Sequence, residues 1–399
     1  MKLIFFNRFF YPDSSATSQI LSDLAFRLAS SGHEVHVVTT RAPGSGDAEE
    51  TVRGVRVHRV TEASTAATTL PRKSMAYLRY YAGARKAAQQ LIRAGDTVVI
   101  KTDPPLLSRA IGNIAKSRGA RVVIWLQDLF PEIAREYGIR GLGGPMGAMV
   151  RKLRDGSLAS ADRVVAIADP MAERVASLGC VPRDRLAIIH NWADGRAVFP
   201  IEPSANPARK QWQVDDVFVV GYSGNLGRVH EFETLLGAAA ILRDHRDILF
   251  LIIGRGPQLS EVKKQASRRE LANVQFRPHQ DRADLAQTLS VPDVHVSILR
   301  PEFEGLVQPS KLYGIMAAGR PTIFVGDRDG ETARILAEAH AGVSVRTGDA
   351  KGLAAAILNL RDRASERRQM GENARKKFDE KYDMPIALAQ WERLLAAVP

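Results

Sequence analysis

Residues 217–242 read VFVVGYSGNLGRVHEFETLLGAAAIL. The run from Val217 to Tyr222 is apolar at almost every position, as expected of a parallel strand covered on both faces. A turn containing Gly224 and Gly227 follows, and helical spacing begins near Glu231 and continues to about Leu242. Strand, glycine-rich turn and helix in that order make an oxyanion site: glycines admit a ligand close to the backbone, and a helix N-terminus offers free N–H groups. Arg228 adds a full charge with a bidentate donor set. A tight strand-to-helix turn with no ligand fits the same spacing.

Working outward, the alternation repeats. After the turn come apolar strands at Ile248–Ile253, Val274–Arg277, Val294–Ile298, Thr322–Val325 and Val343–Val345, with helices between them. Before it lie Lys2–Phe6, Glu34–Thr39, Thr97–Lys101, Arg121–Leu126, Arg163–Ile167 and Leu186–Ile189. A helix over about Thr17–Ser30 is marked by Leu21, Leu24, Ala25 and Leu28 and stopped by Gly32. Residues 191–213 contain Pro200, Pro203 and Pro207 and little periodicity, which reads as a linker. The last helix, about Pro385–Ala397, carries Leu388, Trp391, Leu394 and Leu395 on one face. Two halves of strand-helix alternation predict an α/β protein with two Rossmann-like domains, each a doubly wound parallel sheet.

The chain has 399 residues, enough for two domains that each bury a core. Hydrophobic residues make up 45% and charged residues 25%, the balance of a soluble globular protein. Cys180 is the only cysteine, which excludes an intramolecular disulfide and fits a reducing compartment. The N-terminus lacks the apolar core and cleavage site of a signal peptide. No apolar run approaches the length of a membrane span, so any membrane contact is peripheral. The formal charge of +12 favours anionic partners. The chain lacks zinc-finger, RNA-binding and basic-tail signatures, and no nucleic-acid partner is expected.

Three further segments carry candidate chemistry. Gly254-Arg255-Gly256-Pro257 ends a strand, and its glycines read as turn-forming. Residues 302–321, EFEGLVQPSKLYGIMAAGRP, predict a helix from near Ser310, an N-cap residue type, to Gly319. That places Lys311 in the first turn, where the helix dipole disfavours a cation unless an anion binds there. Trp125-Leu126-Gln127-Asp128-Leu129-Phe130-Pro131-Glu132 ends a first-half strand. Asp128 and Glu132 read equally well as acceptor-binding carboxylates or as helix caps. Separately, residues 71–86, PRKSMAYLRYYAGARK, combine five basic residues with three tyrosines and a leucine. That mixture suits an anionic bilayer, with cations at the headgroups and rings at the interface. A solvated helix with its tyrosines packed inward is the competing reading.

Taken together, these segments resemble the retaining glycosyltransferases of the GT-B fold, family four, over nearly the whole chain. YSGNLGRVHEFETLLGAA looks like the family's donor loop and helix, FLIIGRGPQ like the strand before its Gly-x-Gly-Pro turn, and PSKLYGIMAAGRPTIFVGD like its donor-site helix. NVQFRPHQDRADLAQTLSVPDVHVSIL and IIHNWAD are similar to other family segments, and residues 9–41 with QDLFPE resemble bacterial O-antigen and exopolysaccharide amino-sugar transferases. The resemblance implies two domains facing across a cleft: an acceptor domain of residues 1–195 plus 385–399, and a donor domain of residues 196–384. It implies transfer of a hexosyl or N-acetylaminosugar unit from a nucleotide-diphosphate sugar, UDP-linked, to a saccharide or polyprenyl-diphosphate-linked acceptor.

By the same resemblance, Arg228 and Lys311 hold the donor diphosphate, Glu304 (or Glu302) faces the donor sugar, and Asp128 serves the acceptor. Gly224, Asn225, Gly227, Pro309, Ser310 and Leu312 contact the donor, and backbone near Arg277 and Pro278 meets the base. Attack comes from the front face, and the donor phosphate takes the acceptor proton. No metal and no resident cofactor are implied. The expected location is the cytoplasm, at the inner face of the cytoplasmic membrane.

Three departures from the family pattern stand out. Gly314 occupies the place of a ribose-binding glutamate, leaving that role to Asp327 or to backbone. Gln127 stands where many members have histidine, and Ser14-Ser15-Ala16-Thr17 replaces a glycine pair. The rival functions are a nucleotide-sugar 2-epimerase or phosphorylase of the same fold, and a catalytically degenerate assembly subunit.

Overall fold

The computed structural model describes residues 1–41, 47–62, 70–139, 142 and 144–398. It divides into two compact units, Met1–His190 with Leu388–Pro399, and Asn191–Ala387.

The first unit holds eight strands: β1 Lys2–Phe6, β2 Glu34–Arg41, β3 Glu49–Val52, β4 Val55–Glu62, β5 Thr97–Lys101, β6 Arg121–Trp125, β7 Arg163–Ala166 and β8 Leu186–Ile188. They lie in the order β3-β4-β2-β1-β5-β6-β7-β8. All neighbours are parallel except β3, which runs antiparallel to β4. The expected all-parallel sheet therefore gains an antiparallel edge. Its turn is Arg53-Gly54, both at positive φ, which matches the twist of a two-residue hairpin. Neither the Arg-Gly pair nor the four residues of β3 signalled it in the sequence.

The second unit holds β9 Phe218–Ser223, β10 Ile248–Ile253, β11 Val274–Arg277, β12 Val294–Ile298, β13 Thr322–Val325 and β14 Gly342–Val345. Their order is β11-β10-β9-β12-β13-β14, all parallel. Every residue of β9, β10, β12 and β13 is buried. Alternate side chains enter two apolar layers, one around Val220, Phe250 and Val296, the other around Val219, Leu251 and Val291. In both sheets the strand order reverses beside the first strand of the unit, between β1 and β5 and between β9 and β12. Such a reversal opens a crevice beyond the strands' carboxyl ends, where doubly wound folds bind ligands.

Residues 191–213 differ from the expected linker. Pro203 and Pro207 sit in the first turns of a 3-10 helix and of the helix Pro207–Trp212, where a missing N–H costs nothing. Ala208 and Trp212 enter the core beside Val214 and Val219. The buried Arg209 guanidinium donates to the carbonyls of Val291, Val214 and Val217 and meets Asp293 at 3.1 Å. The prolines punctuate a packed segment of the second unit.

The last helix, Met384–Ala396, places its residues from Leu388 onward in the first unit. Trp391 is fully buried, its ring 4.5 Å from that of Trp125 at the end of β6. Glu392 meets Arg27 at 3.3 Å.

Candidate functional site

In the second unit the crevice begins at the turn after β9. Gly224 N–H donates to Ile253 O and Leu226 N–H to Arg255 O, so the turns after β9 and β10 are stitched together. A Cβ on Gly254 would lie 1.9 Å from Gly224 O, and one on Gly256 would lie 2.6 Å from Leu226 N. The second glycine segment therefore does more than turn the chain: it lets two backbones touch. Asn225 is exposed, and Gly227 is buried with its carbonyl accepting from the Gln258 amide.

Lys311 lies under this turn. Its Nζ donates to the Tyr222 hydroxyl at 2.5 Å and stands 3.8 Å from the centre of that ring. The hydroxyl in turn donates to Asn225 O at 2.8 Å. A Cβ on Gly224 would be 3.4 Å from Lys311 Cε. Among the described residues no carboxylate forms an ion pair with Lys311. Burial pushes its ammonium down to about 7, since a charge taken from water without a counter-ion is disfavoured. An anion arriving at the Gly224 turn would supply the missing partner.

Several expected neighbours are placed differently. Arg228 is exposed on the loop before the helix Glu233–Ile241, without an ion pair among the described residues. That helix is not a free anion site, because the Glu231 carboxylate already accepts from Thr234 N–H at 3.0 Å and from its hydroxyl. Ser310 precedes the helix Lys311–Ala317 but its hydroxyl makes no capping bond, and Pro309 and the Leu312 side chain are buried. Any donor contact by Leu312 must come from its backbone. Glu304 Oε1 accepts the N–H of Glu331 at 2.8 Å, at the start of the helix Glu331–Glu338. Glu302 is exposed and paired with Arg300, which separates two carboxylates that the sequence left interchangeable.

The Arg277 guanidinium lies 5.5 Å from the Trp212 ring, its carbonyl accepts from Gly254 N–H, and Pro278 is exposed beside it. Asp327 closes its own turn through Asp329 N–H at 3.0 Å. A Cβ on Gly314 would stand 3.2 Å from Leu289 Cδ1, so the position has closed against an apolar neighbour.

The first unit has its own crevice at the β1/β5 reversal. Asp128 accepts from the Thr102 hydroxyl at 2.8 Å, and Thr102 Oγ1 accepts from Gln127 N–H. Asp103 accepts from Arg8 Nε at 3.1 Å, and the Arg8 guanidinium lies over the rings of Phe9 and Tyr77. Lys101 ends the buried strand β5, donates to Thr17 O at 3.1 Å and stands 4.1 Å over the Trp125 ring. Burial raises the Asp128 carboxyl to about 6, with Asp103 adding to the rise and Thr102 and Lys101 opposing it. Burial also raises Asp103, against the pull of Arg8, and lowers Lys101 to about 7.

Glu132 does not join this group. It grips Arg154 with both oxygens, at 2.9 and 3.0 Å, a structural pair that is neither of the two roles read for it in the sequence. Lys101, Arg8, Asp103 and Tyr222 were missed. A lysine closing the run Thr97-Val98-Val99-Ile100 was the available signal, because such a position is seldom charged without a reason.

The chain is similar to known proteins. Residues 16–192 match the family described as Glycosyl transferase 4-like domain, and residues 205–377 match Glycosyl transferases group 1. A protein of Pseudomonas aeruginosa named as the glycosyltransferase WbjE is 30% identical over 66% of this chain and 66% of its own length. One of Escherichia coli K12, named as the colanic acid biosynthesis glycosyl transferase WcaI, is 28% identical over 58% of this chain and 57% of its own. The matches thus span less than two thirds of those relatives. Among solved structures, sucrose-phosphate synthase from Thermosynechococcus elongatus superposes with a TM-score of 0.78 at 17% identity, covering 99% of this chain and 98% of that one. Anabaena HepE in complex with UDP-glucose gives 0.74 at 16% identity with full coverage of both chains. WaaG, described as a lipopolysaccharide-biosynthesis glycosyltransferase, gives 0.73 at 14%, covering 99% of this chain and all of that one. Residues 16–192 are thus a glycosyl transferase 4-like domain and residues 205–377 a glycosyl transferases group 1 domain, on two sheets of the GT-B fold.

Proposed function

We propose that this chain transfers a sugar from a nucleotide-diphosphate donor to a saccharide acceptor on a polyprenyl lipid, with retention, in bacterial cell-surface polysaccharide assembly. The observation that carries this reading is Lys311: a half-buried cation with no carboxylate ion pair among the described residues, held by Tyr222 under a glycine turn. A diphosphate there would regain the charge balance that burial denies the lysine, and the demand is greatest as the leaving group gains charge. Arg228, on its exposed loop, is free to close on the same phosphates. Backbone at Arg277 and Pro278 would meet the base. UDP is the expected nucleotide because HepE, of similar fold, forms complexes with UDP and UDP-glucose. The name of WcaI, a colanic acid biosynthesis glycosyl transferase, favours polysaccharide assembly.

In the reaction the bond from the sugar's anomeric carbon to the diphosphate oxygen breaks. An acceptor hydroxyl forms its bond on the same face, and its proton goes to the departing phosphate. Asp128, held by Thr102, would accept a hydrogen bond from an acceptor hydroxyl. No metal or resident cofactor enters this scheme. Thermal melting with UDP-, ADP- and GDP-linked sugars tests the donor, since a ligand bound only to the folded protein raises its stability. A rise with one uridine diphosphate sugar, lost in Lys311→Met, is expected. No shift with any nucleotide sugar would refute the reading.

A further inference from the structure

Three helices of the first unit lie side by side: Leu70–Leu91, Leu107–Ser117 and Pro145–Ser160, with Leu107–Ser117 in the middle. Together they hold ten Lys and Arg, five in the first, two in the second and three in the third, against Asp155 alone. That net +9 is most of the chain's +12. Part of it is neutralised: Lys116 pairs with Asp162, and buried Arg154 with Glu132 and Asp155. Arg79, Arg85, Lys86 and Lys152 are exposed, and Arg151 is partly so, none with an ion pair among the described residues. The side chains of Arg72 and Lys73 lie outside the described part.

The same layer exposes apolar side chains. Met75, Leu78, Met146 and Met149 are each 52–61% exposed, four of the largest such exposures among the described residues. Met75, Leu78, Arg79, Ala82, Arg85 and Lys86 are all exposed at helical spacing on one face. The tyrosines expected there turn inward instead. Tyr80 is fully buried with its hydroxyl on Val38 O, Tyr81 donates to Pro105 O, and Tyr77 lies against Arg8. An open groove between the first two helices has Arg85 and Arg109 on its lining.

We infer that this three-helix layer docks on an anionic lipid bilayer, with Met75, Leu78, Met146 and Met149 entering the headgroup region among the basic side chains. The charge selects anionic headgroups, while apolar tips suit the acyl boundary and have no use against a dissolved polyanion. Arg85 and Arg109 at the groove fit a headgroup phosphate. No described helix is long and apolar enough to cross a membrane, so contact of this kind is superficial. It needs no transfer activity and stands apart from the Lys311 site.

Sedimentation of the full chain with vesicles tests it. Binding is expected to phosphatidylcholine vesicles containing phosphatidylglycerol, not to phosphatidylcholine alone, and to weaken as salt rises. Changing Arg79, Arg85, Lys86 and Lys152 to Gln should weaken binding by about tenfold or more. Met146→Ser with Met149→Ser should weaken it further at any salt. Removing the exposed charges Lys264, Lys351 and Lys376 of the second unit should change nothing. The charge variants alter exposed side chains, so their folding is not at risk. Equal binding to neutral vesicles, equal loss in the second-unit control, or equal binding to RNA without dependence on the methionines would overturn the inference.

Discussion

The two crevices occupy equivalent places in two sheets of the same winding, yet their electrostatics are opposite. Below the β9 turn a half-buried lysine sits against a tyrosine, with no carboxylate ion pair among the described residues. At the β1/β5 reversal two half-buried carboxylates lie with Lys101 and Arg8 nearby. The first arrangement lacks a negative charge and suits a diphosphate. The second has its charges matched and offers carboxylate oxygens as hydrogen-bond acceptors, which suits neutral hydroxyls. Equivalent topology supplies the place, and a few side chains decide which chemistry enters it.

The largest effect expected is on the fold that supports the second arrangement. Trp391→Ala removes the ring against Trp125 and should cost about 3–5 kcal/mol in denaturant unfolding. A cost near zero would show that the first-unit crevice does not lean on the last helix. Next, Lys311→Met should weaken nucleotide-sugar binding and transfer by about 2–4 kcal/mol. Wild-type turnover in this variant would erase the distinction between the crevices. For the intact protein, affinity should fall as pH rises through about 7, where Lys311 loses its charge; calorimetry at several pH values reads this, and the slope should vanish in Lys311→Met.

Asp128→Asn should act with the opposite sign on stability. The folded carboxyl titrates near 6, above its usual range. The native state therefore binds more protons than the unfolded chain between roughly pH 4 and 6, and stability falls as pH rises across that window. At pH 7 the variant should be more stable by roughly 1–3 kcal/mol, and the gain should shrink at pH 4. A destabilised Asn variant at pH 7 would mean that the Thr102 bond outweighs burial. The smallest effect is expected at Arg228, whose exposure limits its change to Ala to about 1 kcal/mol in donor binding. A loss equal to that of Lys311→Met would mean that its loop closes fully on the donor.

Much of this was legible beforehand because periodicity and glycine placement are local. The strands β9 and β10 show as nearly continuous apolar runs, and the last helix shows its Leu388/Trp391/Leu395 face. The hairpin β3–β4 was missed because β3 has only four residues and the glycine of the Arg53-Gly54 turn follows an arginine rather than Asn or Asp. The prolines of residues 191–213 misled because Pro breaks a helix only past its first turn.

From composition and motifs alone, the chain sets its two-sheet α/β class, its basic charge and the candidates Lys311 and Asp128, since all of these follow from residue type and spacing. Only the tertiary structure separates Glu304, bonded to the Glu331 N–H, from Glu302, paired with Arg300, two residues apart in sequence. Only it shows Glu132 committed to Arg154, and Lys311 with Tyr222 from a strand 89 residues earlier. The reason is physical: a side chain's charge state depends on which distant groups replace its water, and that is decided by packing.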